Sequence, residues 1–291
     1  MSEQLAETLQ WFPGHMKKAE RLIEENLKLV DLVIEVLDAR IPFSSQNPNL
    51  QKLLGEKPKL IALAKSDLAS PEDTKLWLKK FHDDEISAVA VDAVKGTGIK
   101  QLIAEAKKLA EKNTHKLVKY GAKPRAARAM VIGIPNAGKS SLINRLAGIN
   151  HTKIENRPGV TRAKQWIKIA DGLLLLDTPG ILPPKFEDQT VALKLAWTYA
   201  ISDEIHDLEP MTYLLLETLA KKNPVGICER FKFSDSLPAT GQELLEKIGL
   251  KRGCIRRGGI LDVDKAVKLV LSEFRTGKLG KVTLDEIPAN Y

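Results

Sequence analysis

The sequence feature that most constrains the fold is the stretch GIPNAGKS, which runs from Gly133 to Ser140. It matches the phosphate-binding pattern G-x-x-x-x-G-K-[ST] in every fixed position, between a run typical of a strand and a run typical of a helix. Backbone N–H groups of such a loop and of the following helix wrap nucleotide phosphates. The pattern predicts that Lys139 neutralises the β- and γ-phosphates and that the Ser140 hydroxyl binds Mg²⁺. The other expected nucleotide contacts of the loop are Asn136, Ala137, Gly138 and Ser141.

Apolar runs of strand length alternate with helical patterns over the first 180 or so residues. The predicted strands are residues 29–39, 58–64, 85–91 and 125–134, followed by a hairpin at 165–180. The predicted helices between them are residues 70–81, where Ser70 and Pro71 are typical of a helix start, and residues 99–113. This alternation predicts an α/β fold with a doubly wound, mostly parallel sheet.

The pattern changes near the stretch LPP at residues 182–184. Helical periodicity dominates the remainder, in four segments at residues 187–201, 210–222, 241–249 and 262–277. We therefore expect two domains. Residues 1–182 form the α/β domain, and residues 183–291 form a small all-helical C-terminal domain.

The charge of the chain indicates a polyanionic partner. The formal net charge is +8 and the isoelectric point is near 9.3. Eight basic residues and one acidic residue lie between positions 107 and 128, and shorter basic groups occupy residues 251–257 and 275–281. The expected partner is RNA or another phosphate backbone. The alternative is that these groups are solvated helix faces and a linker.

Several classes of protein are disfavoured by composition. No apolar run approaches the roughly 20 residues that span a bilayer, and the start has no signal-peptide core. The two cysteines, Cys228 and Cys254, have no metal-ligand spacing and form no disulfide framework. We expect a cytoplasmic protein without membrane insertion.

A second nucleotide motif lies well before the phosphate loop, in LAKSD at residues 63–67. It is similar to Asn-Lys-x-Asp, with which GTPases recognise guanine, but Ala64 replaces the asparagine. The Asp67 carboxylate can accept hydrogen bonds from N1–H and N2–H of guanine, whereas adenine offers no such pair. Lys65 can lay its stem over the base, and Ser66 completes the motif.

Two further motifs follow the phosphate loop. In DTPG, residues 177–180, the expected roles are a magnesium contact through water for Asp177 and an N–H donated to the γ-phosphate by Gly180. In RPGVTR, Thr161 is expected to close over the magnesium and the γ-phosphate as a switch residue. The alternative for Thr161 is an ordinary loop threonine.

The order of these motifs resembles that of circularly permuted GTPases, most closely the ribosome biogenesis GTPase A family of large-subunit assembly factors. The stretches that carry the resemblance are WFPGHMKKA, DARIPFSSQNP, LAKSDL, GIPNAGKSSLINRL, RPGVTR, LLLLDTPGIL, KRGCIRRGGILDVDKA and EFRTGKLG. The resemblance implies GTP as substrate, GDP as product, and the large ribosomal subunit with its ribosomal RNA as partner. A circular permutation preserves the site if the original termini lie close together.

The resemblance also implies roles for individual residues. Asp92 and Ala93 lie where the family offers a backbone N–H to guanine O6. Asn136 matches an asparagine that helps to hold potassium against the phosphates, and His15 matches a histidine proposed to act in catalysis. Ile181 stands where many GTPases have the glutamine that orients water. His15 alternatively is a surface residue at a helix start.

Two other functions remain open at the level of sequence. A small-molecule or nucleoside kinase also uses a phosphate loop, but it has no use for a guanine reader. An RNA-binding scaffold that binds nucleotide without turning it over is compatible with Ile181. We expect a monomeric GTPase.

Overall fold

The structure is a computed structural model that describes residues 14–119, 125–148, 166–178, 180, 182 and 188–288. The described residues form two compact units. The sheet unit comprises residues 14–67, 72–119, 125–148, 166–178, 180, 182 and 285–288, and the helical unit comprises residues 68–71 and 188–284. The predicted domain boundary between residues 182 and 183 stays a prediction, since residues 183–187 lie outside the described ranges.

The sheet unit contains a six-stranded sheet in the order β3-β2-β1-β4-β6-β5. All neighbouring strands are parallel except β5 and β6, which form the predicted antiparallel hairpin around Gly172. Every residue of the central strand β1 is buried, as expected for a strand covered on both faces. The strands are β1 Leu32–Asp38, β2 Lys59–Ala64, β3 Ser87–Val91, β4 Ala127–Ile132, β5 Trp166–Ala170 and β6 Leu173–Asp177. The prediction of a mostly parallel α/β sheet is confirmed.

The helices of the sheet unit differ from the prediction in three places, the first of which is the helix that contains His15, for which no range was predicted. They are α1 Gly14–Leu27, α2 Pro48–Leu54, α3 Pro71–Asp83, α4 Ile99–Lys119 and α5 Lys139–Gly148. The short helix α2 was not predicted, although Asn47 caps it and Pro48 begins it. The predicted end of α4 at residue 113 is wrong, because Leu117 continues the apolar spacing of Ala106 and Ala110.

Each of the five α-helices described in the helical unit begins with a side-chain cap. Its helices are α6 Gln189–Trp197, α7 Leu208–Lys222, α8 Pro224–Phe231, α9 Gly241–Lys251 and α10 Val263–Arg275, and a 3₁₀ turn covers Asp203–Ile205. The capping residues of α6 to α10 are Asp188, Asp207, Asn223, Thr240 and Asp262. The four predicted helical segments are confirmed, and α8 was missed despite the Asn223-Pro224 start signal.

Close helix packing in this unit depends on small residues. A Cβ atom added to Gly241, the first residue of α9, would lie 2.0 Å from the carbonyl oxygen of Tyr213 in α7. The helices therefore approach closely at this point, and Trp197 fixes α6 nearby by donating its indole N–H to Met211 O at 2.9 Å.

Within the described part of the chain, no helix is both long enough and apolar enough to cross a membrane.

Candidate nucleotide-binding site

The predicted nucleotide motifs lie at one edge of the sheet, after the carboxyl ends of its parallel strands. Asp38 at the end of β1 pairs in register with Ala64 at the end of β2, and Ala64 pairs with Val91 at the end of β3. On the other side of β1, Val131 of β4 pairs with Asp177 of β6. This edge is where ligands bind in open parallel sheets.

The phosphate loop follows β4 and is shaped by backbone that only small residues allow. Gly133 has a φ of +147°, and a Cβ atom there would lie 2.4 Å from the carbonyl oxygen of Val36. Asn136 and Gly138 also have positive φ, a conformation that asparagine tolerates better than most residues. The chain then enters α5 at Lys139. The hydroxyl-bearing residues Ser140 and Ser141 are exposed at the start of this helix, where an anion is favoured, and Ala137 is buried.

Lys139 lies inside the loop that precedes it. Its ammonium donates to the carbonyl oxygens of Ile134 at 2.7 Å and Gly133 at 3.2 Å. Gly180 packs against the same ammonium, since a Cβ atom on Gly180 would lie 2.7 Å from Lys139 Nζ and 2.9 Å from Pro135 N. The structure thus brings the end of the DTPG motif against the phosphate loop, and the N–H contact of Gly180 with the γ-phosphate stays a prediction.

The guanine-reading motif meets the phosphate loop through Lys65. Lys65 has a φ of +57°, and its ammonium donates to Asn136 O at 2.6 Å and to Asp38 Oδ2 at 2.9 Å. A Cβ atom on Gly138 would lie 3.3 Å from the Cβ atom of Ala64. The two motifs are therefore in contact in space although 71 positions separate Lys65 from Asn136 in the chain.

Asp38 is a buried carboxylate for which the sequence motifs predict no role. Arg40 donates to it through Nε at 3.0 Å, Nη2 at 2.7 Å and its backbone N–H at 3.1 Å. Burial alone raises the pKa of Asp38. The positive charges of Arg40 and Lys65 and the hydrogen bonds from both outweigh burial and hold the pKa well below its usual range. The signal available in the sequence was the pair of opposite charges, Asp38 and Arg40, at the end of a mostly apolar strand.

The loop after β3 is held by Asp92. Its backbone N–H donates to Thr97 O at 3.1 Å, and its carboxylate accepts from the N–H groups of Val94 and Lys95. Ser66 joins the two loops by donating its N–H to Val91 O at 3.3 Å, beside the half-buried Asp67. Because the N–H of Asp92 is already bonded, the expected donor to guanine O6 is Ala93, and that role stays a prediction.

Some predicted site residues lie outside the described part of the chain. They are Thr161, Ile181 and the side chains of His15 and Asp177. The backbone places His15 in the first turn of α1, which begins at Gly14, and places Asp177 at the end of β6. Their proposed chemical roles remain predictions.

Sequence comparison decides the family. A protein-family description, 50S ribosome-binding GTPase, matches residues 128–225. "Ribosome biogenesis GTPase A" of Bacillus cereus is 47% identical over 277 residues, which cover 95% of this chain and 93% of that protein. The chain belongs to the ribosome biogenesis GTPase A family. It is a GTPase, and the predicted family, fold and enzyme class are confirmed.

More distant relatives of this GTPase extend the match. "Mitochondrial ribosome-associated GTPase 1" of Mus musculus is 35% identical and covers 96% of this chain and 91% of its own. Two solved structures of YlqF from T. maritima are similar, one described as GNP-bound and one as GDP-bound. Their TM-scores are 0.63 and 0.64, at 27% and 28% identity, covering 92% and 91% of this chain and 98% and 99% of theirs.

Replacing Lys139 with alanine should abolish binding of GDP and GTP, because the ammonium at the phosphate loop is lost. Titration calorimetry with GDP measures the effect, and circular dichroism checks the fold. Lys79→Ala, an exposed lysine of α3, is the matched control and should bind as the parent does. Unchanged GDP affinity in Lys139→Ala would show that the site lies elsewhere.

Replacing Ala64 with asparagine should tighten binding of GDP several-fold. The side chain next to Gly138 would regain a hydrogen-bonding amide, which contributes about 0.5–1.5 kcal/mol. Ala64→Leu adds similar volume without the amide and should not tighten binding. Equal or weaker binding by Ala64→Asn would mean that another group already supplies this hydrogen bond.

Proposed function

We propose that the protein is a GTP-hydrolysing assembly factor that binds the large ribosomal subunit through its RNA, and that the particle stimulates turnover. The observation that carries the proposal is the Lys65 contact with Asn136, which joins a guanine-reading motif to a phosphate loop in a chain of this family. Relatives named for ribosome biogenesis supply the ribosomal context. A kinase has no need of such a joined site.

Magnesium fits the donor groups that the site offers. Ser140 provides an exposed hydroxyl at the start of α5, and Asp177 ends the strand that pairs with β4 directly before the phosphate loop. Hydroxyl and carboxylate oxygens are the ligands that Mg²⁺ prefers. We propose that Ser140, Asp177 and Thr161 hold magnesium, which neutralises charge on the phosphates.

Turnover needs a group that positions water, since Ile181 has no polar atom. We propose that His15 does so when binding of the ribosomal particle brings it next to the γ-phosphate, and that potassium held by Asn136 assists separately. Asn136 is exposed within the phosphate loop and has a φ of +55°. A neutral imidazole keeps one acceptor nitrogen near pH 7.

The helical unit offers a basic surface for RNA around residues 251–260, most of which are exposed. Two arginines there are already paired within the unit. Arg252 donates to Glu273 at 2.9 Å, and Arg256 donates to Asp262 at 3.1 Å and Asp264 at 3.3 Å. Lys251 and Arg257 are exposed. The Lys251 ammonium donates to the carbonyl oxygen of Lys232 and lies over the Phe233 ring, but neither group is a carboxylate that would neutralise its charge, so Lys251 and Arg257 are the better candidates to contact phosphates. Reversing the charge of Arg252 would disturb the buried Glu273 and confuse folding with binding.

Binding to isolated large subunits should weaken with salt. Each phosphate contact on duplex contributes about −0.9 to the slope of log affinity against log salt concentration. Lys251→Glu with Arg257→Glu should weaken binding and flatten this slope. Lys221→Glu with Lys222→Glu, at the end of α7, is the control with the same charge change and should have less effect. A slope near zero in the parent would indicate a protein contact instead.

Replacing His15 with alanine should remove most of the turnover that large subunits stimulate and leave GTP affinity and the basal rate nearly unchanged. The basal rate should be near that of unassisted switch GTPases, about 10⁻⁴ to 10⁻² s⁻¹. Phosphate release measured with and without large subunits, in potassium and in sodium, separates the two effects. His82→Ala, an exposed histidine of α3, is the control.

Full stimulation of His15→Ala would assign the chemistry to potassium or to ribosomal RNA. Equal rates in potassium and sodium would remove the role of Asn136. Absence of turnover in every condition, with GTP bound, would favour the RNA-binding scaffold over the GTPase switch.

A further inference from the structure

The guanine-reading loop of this GTPase lacks the usual polar link to the phosphate loop. Ala64 has no hydrogen-bonding side chain, and its methyl group faces Gly138. The link between the two loops therefore depends on the Lys65 ammonium, which donates to Asn136 O at 2.6 Å. A lysine on a flexible stem loses much side-chain entropy when it is held in one place. Something must keep this ammonium from turning towards water, because the Lys65 side chain is 26% exposed.

Asp38 is positioned to hold the Lys65 ammonium in place. Its Oδ2 atom lies 2.9 Å from Lys65 Nζ, and only 2% of the Asp38 side chain is exposed. The carboxylate is itself fixed, because Arg40 contacts both of its oxygens and Ser45 accepts the Asp38 N–H at 3.2 Å. Asp38 also pairs in register with Ala64. The carboxylate that holds Lys65 and the guanine-reading loop that contains Lys65 therefore lie at the ends of adjacent strands.

We infer that Asp38 is a positioning residue for guanine nucleotide binding, which acts by holding Lys65 against the phosphate loop where Ala64 provides no polar link. Asp38 touches neither phosphate nor base in this role. Asp38 affects nucleotide binding through Lys65, whose ammonium donates to both Asp38 and the carbonyl oxygen of Asn136. The inference rests on binding of GDP and GTP at this site.

A double-mutant cycle on GDP affinity tests the inference. Asp38→Asn keeps an acceptor oxygen but removes the charge, and charge-assisted hydrogen bonds are about twice as strong as neutral ones. We expect GDP binding to weaken about tenfold, which corresponds to about 1.4 kcal/mol. Lys65→Met removes the ammonium and keeps the stem, and it should weaken binding at least as much. The double variant should bind no more weakly than Lys65→Met alone, because the two residues act as one unit.

A matched control is available on the same strand. Glu35 of β1 is also a buried carboxylate paired with a lysine, since Glu35 Oε2 lies 3.4 Å from Lys59 Nζ. Glu35 lies away from the strand end, in register with Ile61 of β2. Glu35→Gln should bind GDP as the parent does. Equal losses in Glu35→Gln and Asp38→Asn would show a general effect of removing a buried charge, and would overturn the inference.

Asp38→Asn also leaves the buried Arg40 without its counter-charge, which can prevent folding. Asp38→Asn combined with Arg40→Gln removes both charges together, a change that proteins tolerate better. This pair should fold, by circular dichroism and thermal unfolding, and should show the same tenfold weakening. Parent-like GDP affinity in the folded pair would overturn the inference.

Two results separate this inference from the proposed function. If the parent protein fails to bind GDP, both are overturned. If the parent binds GDP but the losses of Asp38→Asn and Lys65→Met add in the double variant, Asp38 does not act through Lys65, and the proposed function stands alone.

Discussion

The nucleotide site depends on one ammonium group held between a carboxylate and a carbonyl. Lys65 Nζ contacts Asp38 Oδ2 and Asn136 O, and so joins the end of β1, the guanine-reading loop and the phosphate loop. The three segments lie far apart in the chain, and in this circularly permuted order the reader precedes the loop. The contact between Lys65 and Asn136 does not require a particular order of the motifs. In a parallel sheet the carboxyl ends of all strands lie on the same side, whichever order the strands have in the chain.

Burying the Asp38 charge requires support from several directions. Arg40 supplies the counter-charge, and Ser45 accepts the Asp38 N–H. The loop that contains Ser45 is fastened from the distant end of the chain, because the Asp285 carboxylate accepts hydrogen bonds from Phe43 N at 2.8 Å and Ser44 N at 2.7 Å. A buried ion pair contributes little stability by itself. Its value here is that it leaves Lys65 few alternative positions.

Much of this architecture could be predicted from sequence, and the exceptions have two causes. Periodicity gave the strands and most helices, and the phosphate-loop pattern located the site, since both depend on residues close together in the chain. The role of Asp38 depends on strand register, which pairs it with Ala64. β1 and β2 are buried on both faces, so their nearly continuous apolar runs have no alternation that would specify the register. The same holds for Asp92, whose N–H is taken up by Thr97 across an isolated bridge. The short helix α2 was not predicted for a second reason: its seven residues are too few for the periodicity of apolar residues to identify a helix.

The departure of this chain from the family pattern has a physical reading. With asparagine at position 64, one residue of the reader links the loops by its amide, and the lysine adds to it. With Ala64, the loops meet through two separate contacts: a methyl group against the bare backbone of Gly138, and an ammonium against Asn136 O. The first contact is apolar and fixes distance, whereas the second is charged and fixes direction. A guanine-reading loop assembled in this way depends more on Asp38, which holds its lysine. The affinity for guanine nucleotide is therefore determined in part by a residue at the end of β1, outside the guanine-reading motif.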